Sequence, residues 1–247
     1  MGLVRALTGF SAVFFTAGSI VMIVLTFLGG VSNQHPLNVI FFLEAFTGNI
    51  PGAPTTTRWT FWDLCYVDAE GKSHCPGRNI PDFPFNPPGE MNFNTTVNVP
   101  SGFIGTNHFY ITSRFIWPFT IITIFFAVIA FFVGLSSLFT RAGSFAASIV
   151  TWIALIFQTI STCLMTAIYV QGRNNFETNG QAAELGQKAF GLMWASMPTL
   201  FLAAVFYVVA GFVDGGQGYT GRKFRRRGFF PSRASTNAAQ TEETGGD

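Results

Sequence analysis

Four stretches of this chain carry no Asp, Glu, Lys or Arg: residues 6–43, 115–140, 142–172 and 189–213. A helix that crosses a bilayer needs about 20 mostly apolar residues, and each run is long enough to supply them. The runs predict spanning helices at 8–30, 115–139, 145–170 and 190–213. Helices are required because lipid offers the backbone no hydrogen bonds, and the alternation of a membrane β-barrel is absent. Composition agrees: charged residues make up 11% of the chain, hydrophobic residues 49%, and Phe alone contributes 30 of 247 residues. A soluble fold carries about 25% charged residues. Disorder, nucleic-acid binding and a cytosolic enzyme are therefore all disfavoured, and the fold class is an all-α membrane protein built on four helices.

The first run has a competing reading as a cleaved signal peptide, since it follows Arg5 and ends in small residues at 29–32. Its apolar segment exceeds the usual 7–15-residue core, which favours an uncleaved span. With four spans the termini share a side. That side holds eight basic residues (Arg5, Arg141 and six in the tail) against four acidic ones, net +4, and the other side holds six against eight, net −2. The positive-inside rule then puts both termini in the cytoplasm. The resulting map is a cytoplasmic N-terminus with the first span (1–30), an extracellular loop (31–114), the second span (115–139), a short cytoplasmic loop (140–144), the third span (145–170), a second extracellular loop (171–189), the fourth span (190–213) and a cytoplasmic tail (214–247).

The first loop is too long for a structureless connection and reads as a small β-rich ectodomain. Residues 38–46 are Phe-rich and strand-like. Residues 58–67 alternate as one strand, with Thr60, Trp62, Leu64 and Tyr66 on one face and Trp59, Phe61, Asp63 and Cys65 on the other. A turn around Glu70-Gly71-Lys72 follows, so two short strands stapled across Cys65 and Cys75 make a hairpin. In an oxidising space that pair reads as a disulfide, closing a loop for about 2–3 kcal/mol; metal binding by Cys65, Cys75 and His74 is the competing reading. Cys163, within a span, reads as a small buried hydrophobe. Asn94-Thr95-Thr96 is a glycosylation sequon. Glu44 reads as a solvated charge, with a buried pair to Arg58 as the alternative.

The order Ile50-Pro51-Gly52-Ala53-Pro54, then Arg58-Trp59-Thr60-Phe61-Trp62 leading to Cys65, then Cys75, then Pro81-x-Phe83-Pro84-Phe85, all between the first two of four spans, resembles the fungal Sur-seven/PalI family. The resemblance covers roughly residues 5–215; the family pattern carries a small residue, often Gly, where this chain has Asp63. It implies a claudin-like, left-handed four-helix bundle capped by an extracellular β-sheet, with Arg58, Trp59, Trp62, Pro81, Phe83 and Pro84 as the ectodomain motif. It further implies a structural role in a stable plasma-membrane microdomain associated with eisosomes, with effects on endocytosis, the cell wall and sphingolipid composition. Homo-oligomers, eisosome proteins, sphingolipids and sterols are the partners it suggests. No catalytic residue or cofactor comes with it.

The spans themselves favour packing over transport. Small or polar residues follow one face of the third span, at Ser144, Ala147, Ser148, Thr151, Ala154, Gln158, Ser161, Thr162 and Met165. Ala127, Ala130 and Gly134 in the second span, and Gly191, Ala195, Ala203 and Ala204 in the fourth, complement them. Such residues let helices approach closely and bond across the interface at about 0.6 kcal/mol per polar pair. A sharper reading makes Gln158 part of a polar pathway or an oligomer seam. Transport chemistry usually needs ionisable groups within the bilayer, and the spans lack them; Pro118 and Pro198 are candidate kinks only. No metalloprotease, nucleophile-elbow, phosphate-loop or dinucleotide motif is present.

Beyond the last span, Arg222-Lys223-Phe224-Arg225-Arg226-Arg227 followed by Phe229-Phe230 reads as a patch for anionic lipids or phosphoinositides. Each charge contributes about 1 kcal/mol near the surface, while the rings enter the interface. From Pro231 onward the composition predicts disorder, and phosphorylation at Ser232 or Ser235 would weaken the lipid attraction. Two alternatives stand beside a membrane organiser: a PalI-type component of ambient-pH signalling, and a claudin-like pore for small solutes.

Overall fold

The computed structural model describes residues 2–213. Four helices, α1 (Gly2–Phe27), α2 (His108–Ser137), α3 (Arg141–Thr178) and α4 (Gln187–Phe212), are each long and apolar enough to cross a membrane. Helix α2 packs chiefly on α3 and α1 on α4, and the α3–α4 contact joins the two pairs. The bundle is inside-out relative to a soluble protein: Phe14, Phe132 and Ile149 are 65%, 64% and 63% exposed, whereas Thr16, Thr151 and Gln158 are fully buried. Outward apolar surface of this extent is solvated by lipid chains.

Between α1 and α2 the chain builds β1 (Leu43–Phe46), β2 (Thr56–Trp59), β3 (Leu64–Val67) and β4 (Ser73–His74). A fifth strand, β5 (Ala183–Leu185), comes from the α3–α4 connection and completes an antiparallel sheet of order β4-β3-β2-β1-β5. The sheet and the long segment 75–107 form one cap on the end of the bundle where α1 and α3 finish and α2 and α4 begin.

Several expected boundaries change. Helix α2 starts at His108, ahead of the expected residue 115, and α3 runs to Thr178 instead of ending at 170, so half of the expected second loop (171–189) is helix. The added turns are polar, and an Arg173–Glu177 pair at 3.6 Å supports them one turn apart. They are helical because they pack beneath the cap, where Phe176 is fully buried. Residues 38–46 are a short 3₁₀ turn (Leu37–Val39) followed by the strand β1. Residues 58–67 are two strands rather than one: the Thr60 hydroxyl accepts from the Trp62 and Asp63 amides and donates to the Asp63 carbonyl, folding the chain back on itself. Pro118 and Pro198 lie inside unbroken helices.

Candidate functional site at the junction of cap and bundle

The two tryptophans of the Arg58-Trp59-x-x-Trp62 motif face different tasks because the turn at Thr60 separates them. Trp59, on β2, is fully buried against Phe85, Phe93 and Phe176, and its indole N–H donates to Asn92 Oδ1 at 2.7 Å. Trp62, in the turn, donates its indole N–H to the Phe27 carbonyl at 2.6 Å, satisfying one of the orphan carbonyls at the end of α1. Directly beyond, Gly29 and Gly30 are buried. A side chain on Gly29 would lie 2.7 Å from Ile40, and Gly30 adopts φ +83° against Thr60. The small residues after the first span thus serve close packing beneath the sheet.

The motif Pro81-x-Phe83-Pro84-Phe85 carries the chain from the sheet to the helices. The Ile80 and Phe83 amides donate to the carbonyls of Trp62 and Phe61, and the Phe85 amide donates to Ser113 Oγ of α2 at 3.0 Å. The Phe85 ring is fully buried among Trp59, Phe103, Phe109 and Tyr169. Sequence reading gave no packing role to two glycines of this junction. One is Gly172, whose lack of a side chain makes room for the Phe85 ring. The other is Gly186, where any side chain would collide with the Phe41 carbonyl and whose amide bonds the Phe42 carbonyl at 2.9 Å. Gly172 continues the buried face of α3 at helical spacing after Met165, Ile168 and Tyr169, just past the expected end of the span, whereas Gly186 stands in a polar loop with no periodic signal.

Cys65 and Cys75 form a disulfide across β3 and β4, which removes both thiols from the metal reading. His74 Nε2 lies 2.6 Å from Asp68 Oδ2. Asn33, just past α1, brackets the Cys75 backbone with its side-chain amide, accepting from N–H at 2.7 Å and donating to the carbonyl at 3.3 Å. Glu44 is not a solvated charge. The β1–β2 register sets it opposite Arg58, whose Nε donates to it at 2.6 Å while the guanidinium lies over the Phe41 ring. Asp63, which stands where the family pattern has a small residue, is fully buried. Its carboxylate accepts from the Leu64 amide (2.8 Å), the Arg78 amide (3.0 Å) and the Arg78 guanidinium (2.9 Å), so a charge that would otherwise be costly to bury ties the β2–β3 turn to the segment after Cys75.

Two further carboxyls of the cap shift in opposite directions. Burial pushes the Asp82 carboxyl above its ordinary range, against the pull of the Arg114 guanidinium 3.0 Å away. The Lys72 backbone N–H, at 2.7 Å, holds the Asp68 carboxyl below its ordinary range, with His74 adding to the effect. Asn94 is exposed in a left-handed turn (φ 51°). Arg222, Lys223, Arg225, Arg226 and Arg227, with Ser232 and Ser235, lie outside the described residues.

Within the bundle, every small or polar residue noted along the third span is buried, as are Ala127, Ala130, Gly134, Ala203 and Ala204. Gln158 donates to Ser196 Oγ at 2.8 Å and Thr162 Oγ1 at 3.2 Å, and Thr120 and Ser161 share a hydrogen bond at 2.8 Å, so these groups join α3 to α4 and to α2. Gly134 receives the Tyr207 hydroxyl, which also accepts from Thr16 at 3.3 Å. Gly191 and Ala195 are the exceptions: both are exposed, because they lie on the outward face of α4, while Ala189, Met193 and Ser196 on its other face are buried. Cys163 is exposed too, on the outward side of α3 rather than in the core.

A four-helix membrane bundle roofed by a disulfide-stapled sheet, with several buried polar groups bonding one helix to the next, defines a claudin-like four-span architecture. The sequence pattern of the SUR7/PalI family matches residues 8–206. The chain is 33% identical over 195 residues to Protein SUR7 of Candida albicans, a match covering 78% of this chain and 70% of that one. To Protein SUR7 of Saccharomyces cerevisiae it is 31% identical over 196 residues, covering 79% and 63%. An S. cerevisiae protein described as an uncharacterized plasma membrane protein is 29% identical over 199 residues, covering 79% and 65%. This chain belongs to the SUR7/PalI family.

Proposed function

We propose that the chain is a structural organiser of a fungal plasma-membrane microdomain of the eisosome type, acting through self-association and lipid contact, with its cap outside the cell and both termini in the cytoplasm. Its relatives support the placement, one of them being described as a plasma membrane protein. The orientation rests on the excess of Lys and Arg on the side of the termini. One observation carries the structural role: Gln158 with Ser196 and Thr120 with Ser161 bond helix to helix inside the bundle, while the outward faces offer Phe, Ile and Val to lipid or to a second copy. The polybasic segment 222–227 supplies contact with anionic lipids on the inner face. Effects on endocytosis and the cell wall follow from that ordering rather than from chemistry.

Reconstitution separates this reading from a pore. The full chain in liposomes should leave small-solute flux at the protein-free level while raising the share of cross-linked oligomers with protein density. Rapid solute equilibration by dispersed copies would overturn the organiser and favour the channel.

A further inference from the structure

At the rim where the cap meets the helices, two clefts adjoin. The first, about 470 Å³, is lined by Leu25 near the end of α1, by Val39 and Ile40, and by Gly191 and Leu192 in the first turns of α4. The second, about 340 Å³, is polar and lined by Arg58, Glu184 and Gln187. Val39 and Lys188 line both, so an apolar trough passes directly into a charged one. Gly191 belongs to the small residues expected to pack helices, yet a side chain there would meet nothing within 4 Å. The space it leaves belongs to the trough.

We propose that this double cleft holds one phospholipid of the leaflet on the cap side, with an acyl chain along Leu25, Gly191 and Leu192 and the phosphate against Lys188. The inference rests on the reading of the four helices as membrane spans and goes beyond the inner-face contact of the tail. Charge complementarity selects the occupant. Among the described residues Lys188 has no ion-pair partner, and it sits at the level where apolar lining gives way to polar lining. An apolar helix of a second copy laid in the trough would take water from that exposed ammonium and bring it no counter-charge, which is unfavourable; the Glu184 carboxylate lines only the polar cleft. A phospholipid brings the counter-charge at that height and the apolar chain below it. The first amide groups of α4, which has no side-chain cap at Gly186, face the same end and favour an anion. Glu184, beyond Lys188 in the polar cleft, accepts from a headgroup ammonium or hydroxyl, and the Arg58 guanidinium is already held by Glu44. Both volumes fall within the roughly 300–1,000 Å³ of small-ligand sites.

The test uses the full chain in phosphatidylcholine nanodiscs doped with a phosphatidylethanolamine that carries a photoreactive diazirine on its acyl chain. A diacylglycerol with the same chain and no phosphate is the comparison, and adducts are mapped by peptide mass spectrometry. Adducts should concentrate on the peptides bearing Leu25 and Gly191-Leu192. Lys188→Gln should reduce them about fivefold, the loss of one surface charge, while Lys188→Arg retains them. Gly191→Trp should abolish them with unfolding temperature and disulfide content unchanged. Equal labelling by diacylglycerol, adducts spread evenly over all four helices, displacement by inorganic phosphate, or cross-links from the trough to a second copy would each overturn the proposal. Because nanodiscs expose both leaflets and are prepared with either one copy or two, the lipid adducts are read without regard to the orientation or the self-association proposed above, and the two-copy discs report any cross-link.

Discussion

The ring of Phe85 occupies the place where Gly172 would carry a side chain: a carbon added to that glycine would lie 2.6 Å from the ring. This pair couples the cap to the bundle, because Phe85 arrives on the segment that bonds the turn between β2 and β3 while Gly172 stands at the end of the charge-free run of α3. Trp59, Phe103, Phe109 and Tyr169 surround the ring and leave it nowhere to retreat.

Gly172→Leu should therefore destabilise the protein by about 1–3 kcal/mol through overpacking, and Phe85→Ala by about 3–5 kcal/mol through loss of buried volume. Thermal unfolding of the purified protein in detergent, followed by tryptophan fluorescence, reads both. Trp59 lies against Phe85, so the cap signal should melt early in each variant. An unchanged melting temperature for Gly172→Leu would show that the helix and ring separate freely.

Replacing Cys65 and Cys75 together by Ser should cost about 2.5 kcal/mol, as expected for opening a loop of this length. The sequence separation is 10 residues, and the strands either side stay hydrogen-bonded. Limited proteolysis should cut the segment around Gly71 and Gly77 in the double variant well before the wild type, with the helices remaining intact.

Arg78→Ala should cost about 2–3 kcal/mol by depriving a buried carboxylate of its charged hydrogen bonds. Asp63→Gly, which restores the small residue of the family pattern, removes the need for the pair, so the double variant should be more stable than Arg78→Ala alone. Chemical denaturation of the four members of this cycle measures the coupling. Additive losses would mean the contact contributes nothing.

The pH dependence follows from Asp82 and Asp68 with opposite signs. The folded state raises the Asp82 pKa above 3.8, so the native protein holds more protons in the window just above that value, and the stability contributed by the protonated form is lost as pH rises through it. For Asp68 the folded state lowers the value, so its contribution is present above 3.8 and is lost on acidification below it. Melting temperatures across this range should show Asp82→Asn gaining on the wild type as pH rises from 3.8. Asp68→Asn should instead lose ground on the wild type as pH rises toward 3.8 from below, with no further change above it.

What the sequence made legible was whatever repeats or runs. The four spans stand in charge-free stretches, and the buried face of α3 from Ser144 to Met165 follows from helical spacing, since a single rule governs many residues at once. The turn at Thr60, the extension of α3 to Thr178 and the fifth strand had no such signal. Thr60 breaks an apparent alternation with one hydroxyl, the helical turns of Arg173–Glu177 are polar because cap rather than lipid covers them, and Ala183–Leu185 is a strand only because Glu44 and its neighbours offer an edge. Asp63 was visible as a departure from the family pattern. Its partner Arg78, 15 residues on, was set by tertiary structure alone. In the candidate site, Trp59 and Trp62 were marked by the motif, but the division of labour between them needed the turn.

Electron cryotomography of fungal plasma membrane containing the full chain, with a label on the carboxyl end, tests the central claim most directly. The account predicts clustered densities whose caps project from the outer face while the label lies on the cytoplasmic side. Single copies scattered at random, or labels found on the cell exterior, would contradict it.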